Sequence, residues 1–328
     1  MCPAYARQHG NGIAGERGAA PVASTSAARH SLPQQQQRKR RNLKKSMSEQ
    51  SSPLAVSHNR LRALVVPREH GAWGMLLVPL ASGATVGLIR GGQSLRLGFF
   101  TAAALAVFWL RTPLESWLGT SPLRAQTAVE RRLVLCYALL LSTFAAFMFA
   151  GLFWDGRSRD LLPLGAIAAF AFAAQAFLKK LSRGLRMTAQ VCGAIGLTAA
   201  APAAYCVVNG NFDATAAALW LANWLFAGDQ IHFVQLRIHA ARPQTIRERL
   251  RRGRAFLAGQ TTLAAVLILA AKFTFLPWPA LLAFVPVLAR GMAWFIRPAQ
   301  PLAVRRLGWS ELAHSLAFGM LLIAAFRF

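Results

Sequence analysis

The chain has 328 residues, of which 55% are hydrophobic and only 15% charged. A soluble domain carries roughly 25% charged residues, so a water-soluble globule of this length could not cover its surface. The formal net charge is +26, from 37 Lys and Arg against 11 Asp and Glu. That charge sits in the N-terminal tail and in short loops between apolar runs. It reads as a topology and lipid-headgroup signal, and no nucleic-acid partner is expected.

Residues 1–60 are rich in Ala, Gly, Ser, Gln and Arg, and include Gln34 to Gln37 and the basic block Arg38-Lys39-Arg40-Arg41-Asn42-Leu43-Lys44-Lys45. With no periodic apolar face, too little surface could be buried to offset the entropy of ordering. The tail is therefore expected to be a disordered basic region, separate from a helical domain over 61–328. No apolar stretch follows the charges as a signal peptide requires, so no cleavage is expected. Two readings of the tail stay open: an over-extended reading frame with Met47 as the start, and a basic tether on anionic lipid.

Apolar runs then follow at 70–89, 95–114, 132–153, 160–178, 187–208, 214–236, 255–275, 277–296 and 308–326. Each approaches the about 20 residues that span a bilayer. The eighth is separated from the seventh only by Leu276-Pro277-Trp278-Pro279, which suits a tight turn at a membrane surface. Basic residues cluster in alternate loops. One side receives Arg111, Arg124, Arg131 and Arg132, then Lys179, Lys180, Arg183 and Arg186. To the same side fall Arg237, Arg242, Arg247, Arg249, Arg251, Arg252 and Arg254, and finally Arg297, Arg305 and Arg306. The intervening loops are poor in positive charge. The positive-inside rule then predicts an all-α bundle of about nine spans in the inner (plasma) membrane, N-terminus cytoplasmic and C-terminus outside.

Of the four cysteines, Cys136, Cys192 and Cys206 fall inside apolar runs and Cys2 in the tail, with no Cys-x-x-Cys pair. They read as small buried hydrophobes rather than metal ligands or disulfides. No zinc motif, nucleotide-binding loop or nucleophile elbow is present.

The polar residues gather at the predicted cytoplasmic ends. Arg68, Glu69 and His70 open the first span in Pro67-Arg68-Glu69-His70-Gly71-Ala72-Trp73-Gly74. Arg111 and Glu115 close the second. Asp229, His232, Arg237 and His239 lie along the end of the sixth, and Glu311 and His314 open the ninth. Asp229 and His232, three apart, share a helix face, as do Glu311 and His314. Asp229 lies about two turns, or roughly 10 Å, inside its helix end. It is expected to face the bundle interior, paired with a cation or lining a wet cavity. A structural clasp fixing helix packing is the competing reading. Glu69 could equally serve the positive end of a helix dipole, and Lys179 and Lys180 could be plain topology determinants.

Pro67 to Gly74 followed by Leu76-Leu77-Val78-Pro79, together with Leu307-Gly308-Trp309-Ser310-Glu311, resembles the YwiC-like family of bacterial membrane proteins over about residues 62–328. That family carries no assigned activity. In span number and opening motif the chain also resembles the UbiA-type intramembrane prenyltransferases. That resemblance implies a cytoplasmic-side active site between acidic motifs after the second and sixth spans, where Glu115 and Asp229 fall. Those enzymes use aspartate clusters to hold magnesium and a diphosphate; this chain has one acid in each place, with His and Arg nearby.

The leading reading is an enzyme-like protein acting on a lipid or isoprenoid at the cytoplasmic face, in contact with membrane lipids. Glu69, His70, Glu115, Asp229 and His232 are its candidate catalytic residues. Arg68, Arg111, Lys179, Arg237, Glu311 and His314 are its candidate substrate-binding residues. No metal ligand set is assigned and the cofactor is unknown. This reading expects the side chains to converge on one cavity open to lipid. A proton-coupled transporter and a non-catalytic membrane scaffold are the alternatives.

Overall fold

The computed structural model describes residues 60–327, apart from 68–69, 94, 122, 155–159, 241–244 and 298–302, and apart from the side chains of 70–72 and 183. The basic tail, Arg68 and Glu69, and the side chain of His70 thus lie outside the described residues. The rest is helical, with no strand among the described residues. The helices are α1 His70–Ile89, α2 Leu95–Leu118, α3 Ala128–Phe153, α4 Leu161–Leu181, α5 Arg186–Thr198, α6 Ala200–Asn209, α7 Ala214–His239, α8 Ile246–Lys272, α9 Val285–Ile296 and α10 Val304–Ala325. Among the described residues, seven helical stretches are long and apolar enough to cross a membrane, with α5–α6 and the 3₁₀ turn Trp278–Phe284 with α9 each acting as one. The chain is a multi-pass membrane protein.

Local chemistry sets several boundaries. The fifth apolar run breaks between α5 and α6 because Pro202 cannot donate to the Thr198 carbonyl and its ring crowds that oxygen. Gly210 ends α6 in the left-handed region at φ 94°, where a Cβ would be strained. Asp213 caps α7 by accepting from the Ala216 N–H, and Thr245 caps α8 by accepting from Glu248. At the start of α3, Thr127 and Glu130 form a reciprocal capping box, so that helix begins at Ala128, ahead of the expected 132. α8 likewise starts at Ile246, well before 255, because its first turns carry arginines outside the apolar stretch.

α6 is the centre of the bundle, with Ala200 to Val208 buried throughout. α1 and α7 pack on it, and α10 packs on α1. The approach of α1 to α6 is so close that a Cβ at Gly83 would overlap the Ala201 carbonyl. α3 packs mainly on α2 and turns Leu139, Leu140, Phe144 and Phe147 outward, as a lipid-facing helix does. Cys136 lies on that flank and is exposed rather than buried, unlike Cys206 in α6.

Two ends of the bundle follow from the contacts. At one end the helical turn 60–65 is pinned to α2: Trp109 Nε1 donates to the Val65 carbonyl (2.9 Å) and Ser116 Oγ to that of Leu64 (3.1 Å). Arg60 pairs there with Glu130 at 2.6 Å. The end of α9 is held by Arg249, which donates to the carbonyls of Trp294 and Arg297. We call this the basic end. At the opposite end, Tyr205 Oη donates to Asp213 (2.8 Å), and Arg90 donates to Thr215 (2.6 Å).

Gly83→Val forces α1 away from α6, and overpacking of this kind costs about 1–3 kcal/mol or more. The purified variant should melt well below wild type in a detergent thermal-unfolding assay, whereas Gly98→Ala, facing open space, should not.

Candidate functional site

Two polar groups form in the bundle, and they involve different helices. The first joins α2 to α4 at the basic end. Glu115 Oε1 accepts from Arg111 Nε and from Lys179 Nζ, both at 2.9 Å. Arg111 and Glu115 are one helical turn apart, so α2 supplies a preformed pair. Lys179 comes from the last turn of α4 and closes the group. Among the described residues one carboxylate here meets two cations, and Arg111 has a further interaction besides.

Beside it lies a cavity of about 440 Å³. α2 packs chiefly on α3 and α4 chiefly on α5, and the space between α2 and α4 is left open. Its walls are apolar, including Leu76, Phe100, Phe108, Phe149, Leu164 and Phe172; Arg111 and Gln175 are its polar residues of note. On α4 it runs from Leu161 to Gln175, a length of roughly 20 Å at 1.5 Å per residue. Gln175 is 6% exposed, and among the described residues its amide has no hydrogen-bond partner. A Cβ at Gly193 would collide with that amide, so the glycine makes room for it. Gly165 and Ala169 line the cavity and are exposed on α4, so the space communicates with the lipid side of the bundle.

The second group is centred on Arg290 of α9. Its Nη2 donates to Asp229 Oδ2 of α7 at 2.9 Å, and its Nη1 to Glu311 Oε2 of α10. Gln260 of α8 donates to Asp229 Oδ1. Gln230 of α7 donates to the Glu311 carbonyl (2.8 Å) and to Ser315 Oγ (2.7 Å). The guanidinium lies 4.1 Å from the centroid of the Phe233 ring. Four helices are thus joined through one arginine.

The predicted site residues therefore divide. Arg111, Glu115 and Lys179 meet at the cavity, while Asp229 and Glu311 meet around Arg290. His232 packs edge-on to Phe256, with ring centroids 5.3 Å apart, and lies against Gly259 of α8. His314 Nδ1 donates to the Ser310 carbonyl of its own helix (2.6 Å). Arg237 is half-buried near the end of α7. Sequence reasoning missed Arg290, Gln175 and Gln260. A single arginine inside an otherwise apolar run was the available signal for Arg290; an isolated glutamine in such a run is the weaker signal for the other two.

The comparison with known families falls on the first group. Residues 66–205 match the family model described as YwiC-like protein. This YwiC-like segment is less than half of the chain and ends inside α6. Every residue lining the cavity, and the Arg111–Glu115–Lys179 group, lies within it. The Asp229–Arg290–Glu311 group and Leu307 to Glu311 lie beyond it. No curated protein matches the chain.

Removing Arg290 takes the guanidinium donor from two buried acids, a loss of about 3–5 kcal/mol where a buried pair is broken from one side. Arg290→Met should therefore lower the melting temperature and the yield of folded protein. The triple variant Arg290→Met/Asp229→Asn/Glu311→Gln should recover most of the loss. A triple variant no better than the single one would show that the charges are not what holds these helices.

Proposed function

We propose that this protein binds a single-chain lipid of the acyl or isoprenoid kind, with the chain in the α2–α4 cavity and an anionic headgroup at the Arg111–Glu115–Lys179 group. The observation that carries this reading is the buried Gln175 amide, without a hydrogen-bond partner among the described residues, beside Arg111 and Lys179 at one end of a long apolar slot. The cavity volume lies within the roughly 300–1,000 Å³ typical of small-ligand sites. An apolar chain gains roughly 25 cal/mol per Å² buried only when it leaves water. In a membrane the chain is already in hydrocarbon, so selectivity falls to the headgroup contacts. Arg111 and Lys179 supply charge-assisted donors, Gln175 supplies both a donor and an acceptor, and Glu115 holds the two cations in register. Chemistry on the bound lipid would act where the headgroup meets these residues, and Glu115 is the carboxylate placed to exchange a proton with it.

The same reading uses nine passes through the plasma membrane. α1 and α7 complete the count: α1 is short in its apolar stretch, and α7 carries buried Asp229 and Gln230. The basic end then faces the cytoplasm, and the headgroup site opens to the inner leaflet.

Lipid extraction and mass spectrometry of the purified protein should show one single-chain lipid class enriched over bulk membrane. Ala104→Phe, which fills the slot, should abolish that enrichment. Lys179→Ala should lower it about tenfold or more, the worth of one charged hydrogen bond. Enrichment unchanged in Ala104→Phe would sink the proposal. For the topology, a reporter fused after Phe328 should be extracytoplasmic, and a cysteine placed at Arg251 should resist impermeant thiol reagents in intact cells.

A further inference from the structure

The Arg290 group has an imbalance that the lipid site does not explain. One guanidinium faces two carboxylates, and all three side chains are withdrawn from solvent: 10% exposed for Arg290, 1% for Asp229 and 6% for Glu311. If both acids were ionised, the group would carry a net negative charge inside the bundle, where an ion costs at least about 2.5–3.5 kcal/mol.

The hydrogen bonds distinguish the two acids. Asp229 has a donor on each oxygen, Gln260 on Oδ1 and Arg290 on Oδ2. Glu311 has Arg290 on Oε2, while its Oε1 is buried with no partner. The same group contains a second orphan acceptor, Oε1 of Gln260, which is 7% exposed. A carboxylate that accepts two charge-assisted or amide hydrogen bonds is stabilised as the anion. One with a bare buried oxygen is not.

We propose that the Asp229–Arg290–Glu311 group is a proton-binding site, with the proton on Oε1 of Glu311. Asp229 and Arg290 then form a neutral ion pair, and Glu311 accepts from Arg290 through its carbonyl oxygen Oε2. The proton converts the orphan acceptor Oε1 of Glu311 into a donor.

Among the described residues, no second cation is hydrogen-bonded to either acid. α1 faces α10 here with Gly74 and Val78. The turn before α9 presents Phe284 to Phe318. On α10 itself, His314 bonds the Ser310 carbonyl and lies within electrostatic range of both Asp229 and Glu311. On α7, His232, Arg237 and His239 are the other titratable groups; Arg237 is within electrostatic range of Glu311 but is half-buried and among the described residues forms no ion pair, and His239 Nδ1 bonds the Gln235 carbonyl. His232 lies against Phe256. This proposal stands apart from the lipid site: either could fail without the other.

The test is infrared spectroscopy of the full-length protein in lipid nanodiscs at neutral pH, with and without ¹³C-carboxyl glutamate. Wild type should show the carbonyl stretch of an un-ionised carboxyl that shifts with the glutamate label. Glu311→Gln should lose it. Asp229→Asn should lose it too, because Glu311 then becomes the sole counter-ion of Arg290 and releases its proton. A wild-type spectrum with no glutamate-shifted band, or a band that survives Glu311→Gln, would overturn the proposal. So would a band that shifts with aspartate label instead. The labelled wild type decides the matter by itself if a variant does not fold.

Discussion

Charge inside hydrocarbon must be neutralised within the protein, and this requirement shapes the bundle more than any apolar contact. Lipid tails are as apolar as leucine, so burying Leu or Phe between helices gains little that the bilayer does not already provide. Burying an ion without a partner is costly whatever surrounds it. Arg290 answers that constraint by meeting acids from two other helices while Gln260 of a fourth completes the set. The pairing sets how α7, α8, α9 and α10 stand relative to one another at the level of that residue.

The other half of the bundle is held differently. Small residues let α1 and α6 approach to backbone contact at Gly83 and Ala201, and dispersion over such a surface is what remains when hydrophobic transfer is absent. α2 and α4, by contrast, stay apart, and Lys179 reaches across to Glu115. The YwiC-like segment encloses this space in full, which associates the cavity with the part of the chain that resembles a family.

Much of the architecture was legible in the linear pattern. Nine apolar runs became helices or helix pairs, because a backbone in hydrocarbon must satisfy its own hydrogen bonds. Even the break in the fifth run is written in Pro202, although composition alone concealed it. Asp229 was expected to face inward toward a cation and does so. Its partner is Arg290, while His232 packs against Phe256. Helical spacing places residues 229 and 232 on one face, but both can share a face and still meet different neighbours.

By itself the sequence determined that the chain spans a membrane repeatedly and that its acids and imidazoles gather toward the ends of certain runs. Hydropathy, proline placement and charge are local quantities, and these conclusions need nothing more. Tertiary structure alone decided which charges meet. Arg290 is remote in sequence from Asp229 and closer to Glu311, and their contact depends on the order in which four helices pack. It also decided where packing fails, leaving the slot between α2 and α4 and the lone Gln175 amide within it. A void is a property of surfaces from several helices that do not fit together, and no single segment of sequence encodes it.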